Sequence, residues 1–208
     1  MEIVFLGHAS FLIKENATNI YIDPYHIIGK LPKADMVLIT HPHFDHCSTE
    51  DILKISSETT VLISPAGCDV ENIQSQRIAP GEEKALKDAI IRAVPAYNIG
   101  KNFHPKENNW VGYVIDIGQY RLYHAGDTDV IPEMENLSVD IALLPIGGTY
   151  TMDVSEALEA VKKIEPKVAI PMHFGDIVGT VQDAINFCQK CSVKCKMLSR
   201  GESWTVDF

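Results

Sequence analysis

The sequence has no long hydrophobic run, and this absence excludes a class of proteins at once. No stretch approaches the roughly 18 consecutive apolar residues that suggest a membrane-spanning helix. The first ten residues, MEIVFLGHAS, lack a basic region and therefore predict a strand instead of a signal peptide. Repeats, low-complexity tracts and linkers are also absent, so we expect one domain over residues 1–208.

Positive charge is scarce. The chain has 18 Lys and Arg against 28 Asp and Glu, which gives a net charge of −10 and a pI near 5.2. This balance argues against a nucleic-acid binder with an extended basic surface, although it is compatible with a small local positive site. With 46% hydrophobic and 22% charged residues, the chain is able to bury a sizeable core.

Cysteine is also infrequent. Five cysteines, an odd number without regular pairing, fit a reducing compartment better than a disulfide framework, and the cytoplasm is the predicted location. Three of them, Cys188, Cys191 and Cys195, have C-x2-C-x3-C spacing. Because no fourth ligand lies nearby in the sequence, we expect them to be ordinary packing residues and not a metal site.

The chain does contain many short runs of β-branched and aromatic residues separated by turn residues, which predict strands. Helices are predicted after Ser48, after Asp153 with Glu156 three positions on, and from Thr180 to Lys190. This order indicates an α/β (α+β) fold with sheets packed inside helical layers. The predicted strands are EIVFLG, SFLIKE, NIYIDP, MVLIT, TVLIS, AIIRAVPA, WVGYVIDI, YRLYHAG, IALLPIGG and KVAIPMH.

Residues 41–46 read HPHFDH and use three of the chain's 8 histidines. His41 and His43 are two apart on chain leaving a buried strand, so both are able to point the same way. Asp45 and His46 are adjacent, and their side chains diverge. The loop therefore offers two pairs of ligands to two divalent cations about 3.5–4 Å apart.

Two cations need more than four ligands, and these should lie at the ends of other strands. Asp127 follows the predicted strand YRLYHAG, and His173 ends the predicted strand KVAIPMH. A carboxylate has two oxygens, so Asp127 is able to bridge both ions.

These motifs resemble the metallo-β-lactamase superfamily, whose hallmark is HxHxDH, and within it the small L-ascorbate-6-phosphate lactonase-like hydrolases. The resemblance runs from about residue 3 to 175. It implies a four-layer αββα sandwich with the metals at one edge. One metal would bind His41, His43 and a third histidine. The other metal would bind Asp45, His46 and His173, and Asp127 would lie between the two metals. The segments that carry the resemblance are LGHAS, YIDPY, HPHFDH, VPAY, VGYVI, YHAGDTD, LLPIGG, YTMD and IPMHF.

The sequence departs from this family at the third histidine. In relatives, this histidine lies two residues after a Pro-Ala pair. The corresponding segment here is VPAYN, which has Asn98 at that position. Asparagine is a poor ligand for a borderline metal. We expect His104 to take its place if the loop folds back; otherwise the site holds one metal.

Three further polar residues are expected near the ligands. His8 either lines the site or is a buried, hydrogen-bonded residue. Asp23 is expected to orient the ligand loop. His124, three residues before Asp127, is expected to be a core residue or to support the ligands.

The resemblance and the ligand set predict a metal-dependent hydrolase that uses a metal-bound hydroxide. The bond would be an ester, lactone or phosphodiester in a small, anionic substrate. Two zinc ions are expected, with manganese, iron or nickel as alternatives. Asp45, His46 and Asp127 are the predicted catalytic residues, and Asp45 would orient the hydroxide and move its proton.

Other functions remain open on sequence alone. A nuclease would lack the inserted domain that such relatives use, and a diiron oxidoreductase would typically have a carboxylate in place of His43. A non-catalytic metal-binding protein is the remaining alternative. The expected partner is a small molecule, with no membrane and with a homo-oligomer left open. Four loop lysines could meet an anionic substrate: Lys30, Lys33, Lys101 and Lys106.

Overall fold

A computed structural model describes residues 1–73 and 75–208 of the chain. Its helices are α1 (Thr49–Ile55), α2 (Val154–Ile164) and α3 (Val181–Lys190), with short 3-10 turns at Lys106–Asn108 and Pro132–Asn136. Its strands, in chain order, are β1 (Glu2–Gly7), β2 (Ser10–Glu15), β3 (Thr18–Ile22), β4 (Met36–Leu38), β5 (Val61–Ser64), β6 (Ser75–Arg77), β7 (Glu83–Leu86), β8 (Ala89–Pro95), β9 (Val111–Ile117), β10 (Tyr120–His124), β11 (Ile141–Pro145), β12 (Val168–Met172), β13 (Lys194–Cys195) and β14 (Ser203–Thr205).

The chain forms two compact units, each built on one sheet. The first unit comprises Met1–Ile78 and Leu198–Phe208. Its strand order is β14-β1-β2-β3-β4-β5-β6, antiparallel from β14 to β3 and parallel from β3 to β6. Strands β1, β3 and β4 therefore run in the same direction, and the residues that follow them emerge at one edge of this sheet.

The core of the first unit lies between its sheet and α1. Ile52 and Ile55 of the helix are buried in a cluster with the strand residues Val37 and Leu62. Ser48 begins the helix as predicted, because its side chain accepts a hydrogen bond from the backbone N–H of Asp51.

Asp51 attaches the loop after β3 to α1. Its buried carboxylate accepts hydrogen bonds from the backbone N–H groups of His26 (2.8 Å) and Ile27 (3.0 Å) and from the side chains of Ser48 and Lys54. Burial alone would raise the pKa of Asp51, but these hydrogen bonds together hold it below its usual value. The loop is thus fastened by a carboxylate that is charged at neutral pH.

The second unit comprises Ala79–Met197. Its strand order is β13-β12-β11-β10-β9-β8-β7, antiparallel from β7 to β10 and parallel from β10 to β13. Strands β8, β10, β11 and β12 run in the same direction, so the residues after them meet at one edge. Helix α2 packs on β11, helix α3 on β12, and the two helices on each other.

Most of the predicted elements are confirmed. The mixed α/β class with two sheets is observed, as are the hairpin of β9 and β10 and the capping box of Asp153 and Glu156 that begins α2. The strand predicted over MVLIT is shorter and ends at Leu38. Strands β6, β7, β13 and β14 were not predicted, because their residues are mainly polar or half-exposed and lack an apolar run.

The expectation for the cysteines is wrong for two of them. Cys188 in α3 and Cys195 in β13 form a disulfide, with their Cα atoms 5.2 Å apart. The chain reverses after α3 and brings the two side chains together, which their spacing alone did not indicate. Cys191 is outside this bond. Among the described residues, no helix has both the length and the apolar character needed to cross a bilayer.

Candidate metal-ligand clusters

In the first unit, Thr40 links a buried carboxylate to the first histidine of the HPHFDH motif. The Thr40 hydroxyl donates to Asp23 Oδ2 at 2.6 Å, and its oxygen lies 2.9 Å from His41 Nδ1. Since the hydroxyl proton goes to Asp23, the same oxygen accepts the proton of His41 Nδ1. His41 therefore carries a proton on Nδ1, and its Nε2 atom faces His43.

Asp23 orients a second histidine as well. His46 Nδ1 lies 2.7 Å from Asp23 Oδ2, and the backbone N–H of Thr40 donates to Asp23 Oδ1 at 2.8 Å. His46 thus donates through Nδ1, which is the arrangement of a histidine that binds a metal through Nε2. Asp23 is fully buried and has φ of 45°, a left-handed conformation that is strained for aspartate and that occurs preferentially at functional sites.

The remaining candidate ligands of this unit lie close to the same histidines. His41 Nε2 lies 3.0 Å from His43 Nδ1. Two nitrogens bound to one tetrahedral zinc ion at 2.0–2.1 Å would lie about 3.3 Å apart, so the pair is close to the spacing of two ligands of one ion. Asp45 Oδ2 is 3.0 Å from His8 Nε2 and 3.7 Å from His46 Nε2.

In the second unit, Asp127 faces two histidines. Its Oδ2 atom lies 3.3 Å from His104 Nε2 and 3.2 Å from His173 Nε2, and all three side chains are buried. Asp127 follows β10 and His173 follows β12, which are strands that end at the same edge. The carboxylate and the two imidazoles form a compact donor set of the type that binds divalent transition metals.

Asn98 determines which nitrogen of His104 carries the proton. The Asn98 Nδ2 group donates to Asp129 Oδ1 at 3.1 Å and to the Tyr150 carbonyl at 3.0 Å. Because both partners are acceptors, the amide has one orientation, and its Oδ1 atom accepts from the backbone N–H and the Nδ1–H of His104, each at 3.0 Å. His104 Nε2 then faces the Asp127 carboxylate at 3.3 Å, and a cation between the two atoms would be bound by both.

The loop from Asn98 to His104 folds back on itself, as the sequence required if His104 were to replace the missing histidine. The backbone N–H of Asn98 donates to the His104 carbonyl at 2.8 Å and closes the loop. Asp129 fastens its middle, since it accepts from the backbone N–H of Ile99 at 2.8 Å and from Lys101 Nζ at 2.7 Å.

His173 is held against Gly147, which lies two residues after the end of β11. A Cβ on Gly147 would lie 2.4 Å from the His173 carbonyl oxygen and 3.1 Å from its Nδ1 atom. His173 itself has φ of 61°, which is the left-handed region. The absence of a side chain at position 147 therefore allows the close packing that places the His173 ring.

His124 has a different role from its neighbour Asp127. It is fully buried at the end of β10, and its Nδ1 atom accepts a hydrogen bond from the backbone N–H of Gly126 at 3.2 Å. This bond shapes the turn that leads to Asp127. A supporting position for His124 was one of the two expected from the sequence.

Each unit thus gathers its own share of the predicted residues, and the assignment of these residues to metal ions stays a prediction. Sequence reasoning missed three supporting residues: Thr40, Asn98 in its orienting role, and Asp129. The signal for Asp129 was its place in HAGDTD, and Asn98 was noticed only as a lost ligand. The first unit gathers His8, Asp23, His41, His43, Asp45 and His46, and the second gathers His104, Asp127 and His173.

The hydrogen bonds of the histidine rings also match those of histidines that bind metals. Histidines that bind metals almost always donate their other ring N–H to an acceptor, which fixes the ring and its tautomer. Here His41, His46 and His104 do so through three different acceptors: a hydroxyl, a carboxylate and an amide oxygen. The residues of both units therefore fit divalent metal ions.

Comparison with known proteins agrees with this chemistry. The family model for the beta-lactamase superfamily domain matches residues 2–173. The chain belongs to the metallo-β-lactamase superfamily. A family relative from Pelotomaculum thermopropionicum, named UPF0173 metal-dependent hydrolase, is 36% identical over 98% of this chain and 99% of its own length. A namesake from Aeropyrum pernix is 35% identical over 100% of this chain and 98% of its own.

A solved structure supports the fold. Igni18, described as a metallo hydrolase of Ignicoccus hospitalis, is 27% identical and has a TM-score of 0.82, covering 100% of this chain and 98% of its own. Membership of the superfamily confirms the predicted metallo-β-lactamase fold and the predicted class of enzyme, a metal-dependent hydrolase.

Proposed function

We propose that this metal-dependent hydrolase cleaves an ester, lactone or phosphodiester bond in a small, anionic substrate, with two divalent ions, most simply zinc. One observation carries the proposal. His41, His46 and His104 each have Nδ1 engaged by an acceptor, which is the arrangement of histidines that bind a metal through Nε2. A structural role would not require three imidazoles to share this arrangement.

We assign the ligands by the scheme that the family resemblance implies. His41, His43 and His104 would hold the first ion, and the remaining ligands the second, with Asp127 shared by both. The spacing of His41 and His43 supports the first group. The approach of His104 and His173 to one oxygen of Asp127 supports the sharing of that carboxylate. The second group comprises Asp45, His46 and His173.

Bound divalent ions would supply Lewis acidity and lower the pKa of a water ligand to about 7. Asp45 is the residue that we propose receives the proton of the attacking water. Its carboxylate is largely buried, and His8 holds it at 3.0 Å. Since Asp45 and Asp127 together neutralise only half of the charge of two divalent ions, the centre keeps a positive charge that favours an anionic substrate.

A nuclease is the weaker alternative. Three of the four loop lysines that could meet phosphates already have partners: Lys101 with Asp129, Lys106 with Glu133, and Lys33 with two carbonyls at the end of α1. The net charge of −10 also opposes binding to a polyanion. A small substrate that needs only the charge of the metal centre fits these observations better.

The first experiment measures metals per chain by plasma mass spectrometry. The wild type, the His104→Ala variant and the His26→Ala variant are purified side by side. His26 is exposed and assigned to no ion, so it is the matched control. We expect two ions in the wild type and in His26→Ala, and about one in His104→Ala. One ion in all three proteins would refute the two-ion proposal.

The second experiment tests the reaction. The metal-loaded protein is assayed with a 4-nitrophenyl ester, an aliphatic lactone and bis(4-nitrophenyl) phosphate, before and after treatment with a chelator. We expect hydrolysis of at least one substrate that a chelator abolishes and that Asp45→Asn lowers even when the rate is expressed per bound metal ion. Full metal occupancy without turnover of any of the three would favour the non-catalytic alternative.

A further inference from the structure

A cavity of about 290 Å³ lies in the first unit beside β1, among residues that no metal assignment uses. Its floor belongs to the hydrophobic core, because Val4, Leu6 and Ile27 are members of the buried cluster and Leu31 packs against it. At its rim, the side chain of Ile28 is 74% exposed.

Among the described residues that line the cavity, Arg200 is the one with a charge, and it precedes β14. Its guanidinium donates through Nε to the Leu6 carbonyl at 2.9 Å and through Nη2 to the His26 carbonyl at 3.0 Å. Gly7 permits this packing, since a Cβ there would lie 2.9 Å from Arg200 Nε. The side chain is therefore held in place by two backbone carbonyls.

Arg200 keeps both its charge and hydrogen-bonding capacity. A guanidinium has five N–H donors, and two of them make the bonds described above. Within the part of the chain that the structure describes, no carboxylate forms an ion pair with it. The remaining donors include the paired N–H groups of Nη1 and Nη2, which match a carboxylate in the bidentate geometry that arginine favours.

We propose that this cavity binds an aliphatic carboxylate, with the chain on the apolar floor and the carboxylate on Arg200. At roughly 30 Å³ for each heavy atom, the share of a water molecule in the liquid, the cavity holds about ten heavy atoms. Octanoate has this size. Its chain would also cover the exposed Ile28 side chain, which gives that residue a reason to be apolar.

The binding is independent of the proposed metal chemistry. The floor is formed by β1 and the loop after β3, and that loop is fastened by the bonds of Asp51 to its backbone. A carboxylate could also bind to metal ions, so the experiment separates the two sites by variants. The His41→Ala variant removes a proposed metal ligand and leaves the cavity unchanged.

The test is isothermal titration of the metal-loaded full chain with octanoate, butanoate and octan-1-ol, followed by methyl NMR of labelled isoleucine. We expect octanoate to bind at least tenfold more tightly than butanoate, which is shorter, or octan-1-ol, which is uncharged. Octanoate should also shift the Ile27 and Ile28 methyl signals. Arg200→Gln should weaken octanoate about tenfold to a hundredfold, which corresponds to one charge-assisted hydrogen bond.

Variants at two exposed positions test whether a loss of octanoate binding could result from misfolding. Ile28→Asp places a negative charge at the rim on a side chain that is already exposed, and it should also weaken octanoate at least tenfold. Leu53→Asp makes the same change at a leucine of α1 that is 46% exposed and outside the cavity, and it should bind like the wild type.

The proposal requires that binding survives His41→Ala and is weakened by Ile28→Asp. If the wild type does not bind octanoate at millimolar concentration, the cavity is not such a site. If binding is lost in His41→Ala and kept in Ile28→Asp and Arg200→Gln, the carboxylate binds at the metals and the proposal is wrong. Neither result would bear on the two-ion hydrolase, which is tested separately by metal content.

Discussion

Replacement of Asn98 by leucine should weaken one metal site and spare the other. Asn98 is buried, and its amide makes four hydrogen bonds, two to His104 and one each to Asp129 and the Tyr150 carbonyl. Leucine has a similar size and no polar atom. In Asn98→Leu, nothing fixes the proton of His104 on Nδ1, so its Nε2 lone pair is no longer held ready for a metal ion.

The expected magnitude follows from the contacts. Loss of a partner that orients a metal-binding histidine typically costs tenfold to a hundredfold in metal affinity, or about 1.4–2.8 kcal/mol. The backbone N–H of His104 and the Asp129 carboxylate also lose a bond each. At about 1 kcal/mol for each lost bond, unfolding of the metal-free variant should be easier by roughly 2–4 kcal/mol.

Two measurements separate these effects. Competition with a chelator gives the affinity of each ion, and thermal unfolding of the metal-free protein gives its stability. Nitrogen chemical shifts of the His104 ring report directly which nitrogen carries the proton. The control is Asn102→Leu, because Asn102 is an exposed residue of the same loop.

Three results would refute the reasoning. Equal weakening of both ions in Asn98→Leu would mean that the loop as a whole had collapsed. Unchanged affinity would mean that Asn98 does not orient a ligand. A neutral His104 ring with its proton on Nε2 instead of Nδ1, in the metal-free wild-type protein, would contradict the hydrogen-bond assignment directly.

Two other positions give independent predictions. Gly147→Ala should displace His173, because the new Cβ would lie 2.4 Å from the His173 carbonyl oxygen. The metal content measured by mass spectrometry should then fall toward one ion per chain. Two tightly bound ions in this variant would contradict the prediction. Asp51→Asn should destabilise the protein by about 1.5–3 kcal/mol at pH 7. The folded state lowers the pKa of Asp51 below its ordinary value of 3.8. The difference in stability between the wild type and Asp51→Asn should therefore be complete above pH 3.8 and should shrink as the pH falls below it. Denaturant unfolding that gives a constant difference down to pH 2 would refute the assignment.

The sequence predicted the elements whose residues pack on both sides and missed those at the edges. Strands such as β11 and β12 are apolar throughout, with every residue buried, and this is the pattern of a central parallel strand. Strand β7 has only half-exposed and exposed residues, so its position depends on pairing with β8 and not on its own composition. The disulfide of Cys188 with Cys195 was missed for a similar reason, because it depends on the turn after α3.

The ligands were predictable to the extent that their geometry is local. The spacing of His41, His43, Asp45 and His46 within six residues limits where their side chains point, and the structure keeps all four together.

The role of Asn98 could not be read in this way, because it depends on contacts with Asp129 and Tyr150, 31 and 52 residues away. When only the residue type is considered, Asn98 stands at the position of the third histidine of the family and is a lost ligand. Judged by its hydrogen bonds, the same amide is the acceptor that orients His104, six residues later in the chain. A substitution that removes a ligand at one position is therefore compatible with an intact metal site when the replacing side chain positions a ligand supplied from elsewhere in the loop.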